Sequence, residues 1–368
     1  RVEKPAFNLR DKLSQLELPV GVHGSQVLKS ETPQDTFNIV SAGRKNMIIN
    51  GDMRVSQRYS SAQTISSGGN RYFLDRWIGR NDTGATVAQS HSSNSPDGHY
   101  RSLRFECTNA DTNVQSTEYC RIQQWIEGYN ILLDWGMGAN RDFATISFWV
   151  QSSVPGIYSV SIEDGDASTF CINEYRINRP NVWEWKTVTV PPPLNGDFVA
   201  KGSNNGMRVT FTLATTDQYK TTKDQLGRWD SSGDYDMAGP NQVNFVGQTG
   251  NFYITGVQLE RGKVATPFEY MRYEESLALC QRYYEENNCT WAGYTRAAQG
   301  NGSLLVNYKV TKRAAPTLSQ KSAPNSVQSL TSQNLQDATV GNFVVDTRIN
   351  SDGYGRFYNL LAASDAEL

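Results

Sequence analysis

The sequence predicts a mainly β protein: an antiparallel jelly-roll β-sandwich with a short helical N-terminal leader and a small α+β C-terminal domain. Runs such as ATISFWVQSS, YSVSIED and MRVTFTLAT alternate apolar with polar residues, the period of a strand with one buried face. Gly, Ser, Thr, Asn and Asp crowd the connections, and seven or more such runs precede Tyr270, the pattern of a sandwich. A hydrophobic share of 38% with 11% aromatics fits many short strands better than long helices.

Residues 1–45 carry two short helical candidates, FNLRDKLSQLE and TPQDTFNIVSAG. Thr32 as N-cap with Pro33 behind it opens the second, and Gly43 closes it. Neither is long enough to be stable alone in water. Phe37, Ile39 and Val40 therefore need a partner surface and are candidates for a subunit interface.

Residues 46–272 form the expected sandwich. Ile146, Phe148 and Val150 share one face, as do Tyr158, Val160 and Ile162, and Val209, Phe211 and Leu213. In NFYITGVQLE the parity of Phe252 and Ile254 passes to Val257 and Leu259 across Gly256, which predicts a β-bulge at the glycine. Trp77, Trp125 and Trp149 are expected in the core.

Residues 273–368 change period. Leu277, Cys280 and Tyr284 recur at helical spacing, which predicts a helix from Tyr273 to Asn287. SLLVNYKV, GNFVVDTRI and RFYNLLAAS follow as strands, 318–339 reads as loop or weak strand, and the acidic end SDAEL reads as a solvated terminus.

A formal net charge of −2 gives no field that attracts a nucleic-acid backbone. No run approaches the eighteen or so apolar residues of a membrane span. The start RVEKPAFNLR lacks a signal-peptide core, so synthesis in a cytoplasm is expected. Five cysteines at irregular spacing, with no CxxC pair, read as buried reduced thiols rather than a disulfide or zinc framework. No cofactor or metal motif is present, and no EF-hand-like spacing supports calcium.

NMIINGDMRVSQR (46–58), RYFLDRWIG (71–79), TGVQLERGKVATPFEYMRYEESLALCQRYYE (255–285) and KVTKRAAPT (309–317) stand out. Asn50-Gly51-Asp52 is a turn signal that leads into a first strand. In the second, Arg71, Asp75 and Arg76 are charges for structural use around Trp77. In this order these strings resemble a module of tailed-bacteriophage tail-fibre and related virion structural proteins, of the marine or cyanobacterial phage type. The resemblance spans most of residues 46–317. It implies a virion location, a homo-oligomer with a trimer favoured, other phage tail or capsid proteins as partners, and a carbohydrate-binding-module-like core that takes host-surface polysaccharide. The alternative is a capsid decoration or adaptor protein without receptor binding.

Glycan binding needs exposed aromatic faces with polar neighbours. Trp183 and Trp185, two apart and expected on one strand face, and Trp229 in the polar excursion KDQLGRWDSSGDYDMAGPNQ are the candidates. Tyr283 and Tyr284 are further interface candidates, since Tyr and Arg are enriched at hot spots; packing of their helix on the sandwich is the other reading. For catalysis, only Asp164 to Asp166 and the pair Asp234 and Asp236 offer paired carboxylates, in turn-like surroundings, and no GxSxG, HExxH or phosphate loop occurs. The sequence thus reads as a binding protein and not an enzyme. Deleting residues 1–45 is expected to leave a folded sandwich that no longer joins virions, which the protein composition of purified particles would reveal.

Overall fold

The computed structural model describes residues 44–134, 142–165, 169–193, 202–231, 237–295, 300–350 and 353–368. The chain divides into two units, Arg1–Lys45 and Asn46–Leu368. The leader candidates Phe37, Ile39 and Val40 lie outside the described residues.

Two antiparallel sheets make a jelly-roll sandwich. Sheet A runs β1 (Gln63–Ile65), β4 (Thr86–Ser92), β5 (Ser102–Asn109), β13 (Gly250–Arg261), β7 (Ala144–Ser152), β10 (Glu184–Val190). Sheet B runs β12 (Trp229–Asp230), β9 (Phe170–Ile177), β8 (Gly156–Asp164), β11 (Asn205–Thr215), β6 (Tyr119–Glu127), β3 (Ile78–Asn81), β2 (Gly69–Tyr72). The chain crosses between sheets at most connections, so neighbours in sequence face each other across the core. Helix α1 (Gly128–Asp134) follows β6.

Every inward residue expected from the alternation is buried: Ile146, Phe148 and Val150 from sheet A meet Val160, Val209, Phe211 and Leu213 from sheet B. Phe211 lies edge-on to Phe148 at 5.0 Å and tilted against Trp77 at 6.3 Å. The bulge occurs where expected. Pairing of β13 with β7 shifts register between Thr255 and Gln258, and Gly256 takes φ +63°. All five cysteines are free and buried. Trp77 is fully buried, but Trp125 and Trp149 stand on the outer faces of β6 and β7, a correction to their expected core placement.

The first strand starts later than NGD suggests. Residues 46–58 form an irregular segment pinned to β13: Asn46 Nδ2 donates to the Val257 carbonyl at 3.1 Å, and the Ile48 and Leu259 amides donate to Asn46 Oδ1 at 3.0 Å each. Asn50, at φ +56°, exchanges hydrogen bonds with Val55 at 2.9 Å each way. A Cβ on Gly51 would sit 2.1 Å from the Val257 oxygen, so only glycine fits this approach.

After β13, helix α2 spans Tyr273–Gln281 and stops six residues short of the expected end. Tyr283 and Tyr284 cannot continue it because other groups claim them. The Tyr283 ring lies under the Arg76 guanidinium at 3.5 Å, its hydroxyl donates to Glu127 at 2.8 Å, and Tyr284 pairs with Asp365 as a strand begins. That strand, β14 (Tyr284–Thr295), runs beside β20 (Gly353–Asp365), which also pairs β16 (Thr317–Ser322) and β17 (Ser326–Gln328). Against it packs a three-stranded sheet of β15 (Asn301–Asn307), β19 (Asn342–Ile349) and β18 (Leu330–Gln336). Cys289, Phe357, Leu360 and Ala362 from the first sheet and Phe343 and Val345 from the second enclose a small core. The 318–339 stretch thus supplies short strands.

The end SDAEL is not solvated. Glu367 pairs with fully buried Arg76, and Arg58 reaches Asp365 at 2.7 Å and Glu367 at 3.0 Å. Arg313 Nε donates to the Ala366 carbonyl and its Nη2 to that of Glu367, each at 2.8 Å. Of the RYFLDRW charges, Arg71 bonds Gln63, Asp75 bonds Gln57, and Arg76 reaches the C-terminus; they do not pair with one another. Burial raises the Asp75 carboxyl to about 6, against the Gln57 hydrogen bonds and the Arg58 charge that pull it down. The folded state therefore binds this proton more tightly than the unfolded chain, and the stability it contributes is lost as pH rises through 6. Asp75→Asn is expected to gain about 2 kcal/mol relative to wild type between pH 4.5 and 7.5. Denaturant unfolding at the two pH values reads this, and parallel curves would contradict it.

Candidate functional site

The outward residues of sheet A gather aromatic rings. Trp185 on β10 is opposite Trp149 on β7, and Thr255 on β13 continues the row, so side chains of one register line share the outer face. Trp185 is 49% exposed, the largest solvent-facing indole surface on the sheet. One register line on, Tyr253 is opposite Gln151 of β7 and Arg104 of β5. Trp183 precedes β10 and leans over Tyr253 with centroids 6.2 Å apart at 56°. Trp149, Trp183 and Tyr253 are half-buried, so each shows part of a ring.

Polar groups hold these rings in place. Trp183 Nε1 donates to Asn94 Oδ1 at 3.2 Å, Asn94 Nδ2 to Gln151 Oε1 at 2.5 Å, and Gln151 Nε2 to the Asn181 carbonyl at 2.9 Å. Glu184 closes the same turn. It accepts from the amides of Asn178 at 2.8 Å and Arg179 at 3.0 Å, and from Lys186 Nζ at 2.7 Å. Burial works against its ionised form, but Lys186 and these donors outweigh it and hold the carboxyl down at about 2. A Cβ on Gly256 would come within 2.6 Å of His99 and 3.2 Å of Trp149, so the bulge glycine lets both rings settle beside the backbone. Arg104 completes the edge, bonding Asn251 at 2.8 Å and Glu106 at 2.8 Å. Chemically this is an apolar strip of mutually tilted rings bordered by amides and a guanidinium.

No protein-family model matches this chain, and no curated protein does. Solved structures similar to it include the enzymatically active domain of bacteriophage CBA120 tailspike protein 4, with TM-score 0.31 and 10% identity over 59% of this chain. The match spans only 21% of that tailspike chain. A CBM4 structure aligns with TM-score 0.30 and 17% identity, over 58% of this chain and 98% of its own. The family 11 carbohydrate-binding module from Clostridium thermocellum, in complex with a β-1,3-1,4-mixed-linked tetrasaccharide, aligns with TM-score 0.29 and 14% identity, over 56% and 100%.

The sequence-derived residues divide. Trp183 and Trp185 come together on one face, although Trp183 lies in the turn and not on the strand. Trp229 does not join them. It sits on β12 at the edge of sheet B, packs against the sandwich core and donates its indole N–H to the Pro191 carbonyl at 2.6 Å, an anchor more than a platform. Tyr283 and Tyr284 are buried within this chain at 0% and 3% exposure, which removes them as subunit contacts. Asp164 is buried at the end of β8, while Asp166, Asp234 and Asp236 lie outside the described residues. Sequence reasoning missed Trp149 and Tyr253, which share the parity of Gln151 and Thr255 in their strands. Among the described residues no group of three or more His, Cys, Asp or Glu could hold a metal ion, and no helix is long and apolar enough to cross a membrane.

Proposed function

We propose that this chain is a carbohydrate-binding part of a bacteriophage virion appendage, a tail fibre or fibre-like protein. In this reading it docks to the particle through residues 1–45, assembles as a homotrimer and binds host-surface polysaccharide without cleaving it. The observation that carries the binding reading is the strip of Trp149, Trp183, Trp185 and Tyr253 on one sheet face. The exposed indole of Trp185 and the part-exposed rings beside it match the apolar faces of sugar rings, while neighbouring amides serve the hydroxyls. Binding without cleavage is supported by the carboxylates near the strip: Glu184 is ion-paired with Lys186 and held ionised, and Glu106 is ion-paired with Arg104. A general acid would need a raised pKa instead. The virion setting rests on the resemblance of 46–58, 71–79, 255–285 and 309–317 to fibre modules.

Isothermal titration against neutral bacterial-surface oligosaccharides tests the binding reading. Trp185→Ala is expected to weaken binding at least about tenfold, equivalent to ~1.4 kcal/mol. Tyr294→Ala, a ring 67% exposed on the distant β14, is expected to leave it unchanged. Equal affinities for wild type and Trp185→Ala, or no binding across the set, would refute it.

A further inference from the structure

The row of rings on sheet A does not end at Trp149. The loop 93–101 between β4 and β5 folds over the outer face of β13, where Thr255 Oγ1 donates to the Arg101 carbonyl at 2.7 Å and is closed from water. That loop sets His99 against the backbone of Gly256, the same bulge glycine that receives Trp149. The turn is fixed from within: the His99 amide donates to the Pro96 carbonyl at 3.0 Å, and Ser95 Oγ to the His99 carbonyl at 2.6 Å. Asn94 of the same loop holds Trp183, so one loop supports rings on both sides of the bulge.

A strap after β13 brings two more rings. Thr266 Oγ1 donates to Glu260 at 2.6 Å and the Glu269 amide to Gln258 Oε1 at 2.8 Å, which lays residues 266–270 over the outward side chains of the second half of β13. Pro267 keeps the residue before it extended. Phe268 stands edge-on to His99 with centroids 5.4 Å apart, and Tyr270 lies 5.6 Å from His99 and 5.0 Å from Phe268. The Tyr270 hydroxyl donates to the Gly98 carbonyl at 3.1 Å and ties strap to loop, yet this tyrosine remains 58% exposed.

Rings therefore follow one another across the strands: Trp185 on β10, Trp149 on β7, His99 at the β13 bulge, then Phe268 and Tyr270 beside the turn that enters β5. From β10 to β5 is three strand spacings, about 14 Å at ~4.8 Å each. One sugar ring cannot cover that span, whereas an extended chain lying across the strands meets an exposed ring at each end. Neither end is walled off, since Trp185 stands on an edge strand at 49% exposure and Tyr270 at 58%.

We propose that His99, Phe268 and Tyr270 form a second stacking subsite on this face, which makes the ligand an internal stretch of a linear, extended polysaccharide and not a single terminal sugar. The inference rests on the binding reading above and adds chain length and geometry to it. A subsite ~14 Å from Trp185 gains only from a chain long enough to reach it, so affinity rises with length until both are filled.

Size-graded fragments, disaccharide to octasaccharide, of neutral bacterial O-polysaccharides and of β-1,4- and β-1,3-glucan would be titrated calorimetrically into the full chain. At least one series is expected to gain about tenfold or more in affinity from its shortest to its longest member. In that series Tyr270→Ala is expected to weaken the longest fragment about fivefold and leave the shortest unchanged, while Trp185→Ala weakens both. Tyr270→Phe loses the Gly98 hydrogen bond but keeps the ring, and is expected to bind like wild type, which separates stacking from anchoring of the strap. The second subsite is overturned, and the binding reading left standing, if fragments bind with no rise along the series or if Trp185→Ala weakens the longest fragment and Tyr270→Ala does not. A loss in Tyr270→Ala that is equal for short and long fragments, or that Tyr270→Phe reproduces, overturns it as well. No binding by wild type to any fragment would overturn both.

Discussion

The buried guanidinium of Arg76 is the point on which the Asn46–Leu368 unit depends. It joins three parts of the chain that are remote in sequence: the carbonyl of Trp125 on β6, the ring of Tyr283 after α2, and the carboxylate of Glu367 near the C-terminus. Both of its Nη groups and one face are engaged, only Nε lacking a hydrogen-bond partner, and removing one partner of a buried pair costs about 3–5 kcal/mol. Around it, Arg58 repeats the arrangement between Glu367 and the Tyr284 ring 3.7 Å away. Arg282 clamps Glu127 at 2.6 Å, and Lys312 meets Glu285 at 2.6 Å with both side chains fully buried. The apolar filling is thin by comparison, with Ile49, Val55, Cys280 and Tyr283 at its centre. Position, more than burial of oil, is what this joint supplies.

The strings that resemble fibre modules converge here. Asn50 and Arg58 come from 46–58, Asp75 and Arg76 from 71–79, Arg282 and Tyr283 from 255–285, and Lys312 and Arg313 from 309–317. Asn50 Nδ2 donates to the Asp75 carbonyl at 3.0 Å, and Trp77 Nε1 to the Asn50 carbonyl at 3.0 Å, so the first two strings are one substructure. What these strings have in common is therefore the architecture of the joint.

Legibility in the sequence followed the range of the interaction. Strand alternation is local, so Ile146, Phe148, Val209 and Phe211 could be assigned inward, and the parity switch at Gly256 marked the bulge. The end of α2 was not legible, because Tyr283 leaves the helix for partners at Arg76 and Glu127, far away in sequence. The same holds for SDAEL, whose carboxylates look solvated until Arg58 and Arg76 are brought to them. At the candidate site, Trp183 and Trp185 were legible as a pair. Trp149 reads as core in the sequence, and only the pairing with β10 shows that it faces out beside Trp185.

The claim that the ionic joint makes the sandwich and the C-terminal sheets one cooperative unit is tested most directly by residue-resolved hydrogen exchange on wild type and Glu367→Ala. If the joint couples them, amides of β11 in the sandwich and of β20 in the C-terminal sheet lose protection together and by the same free energy, on the order of 3 kcal/mol. Loss of protection confined to β20, with β11 exchanging as in wild type, would contradict it.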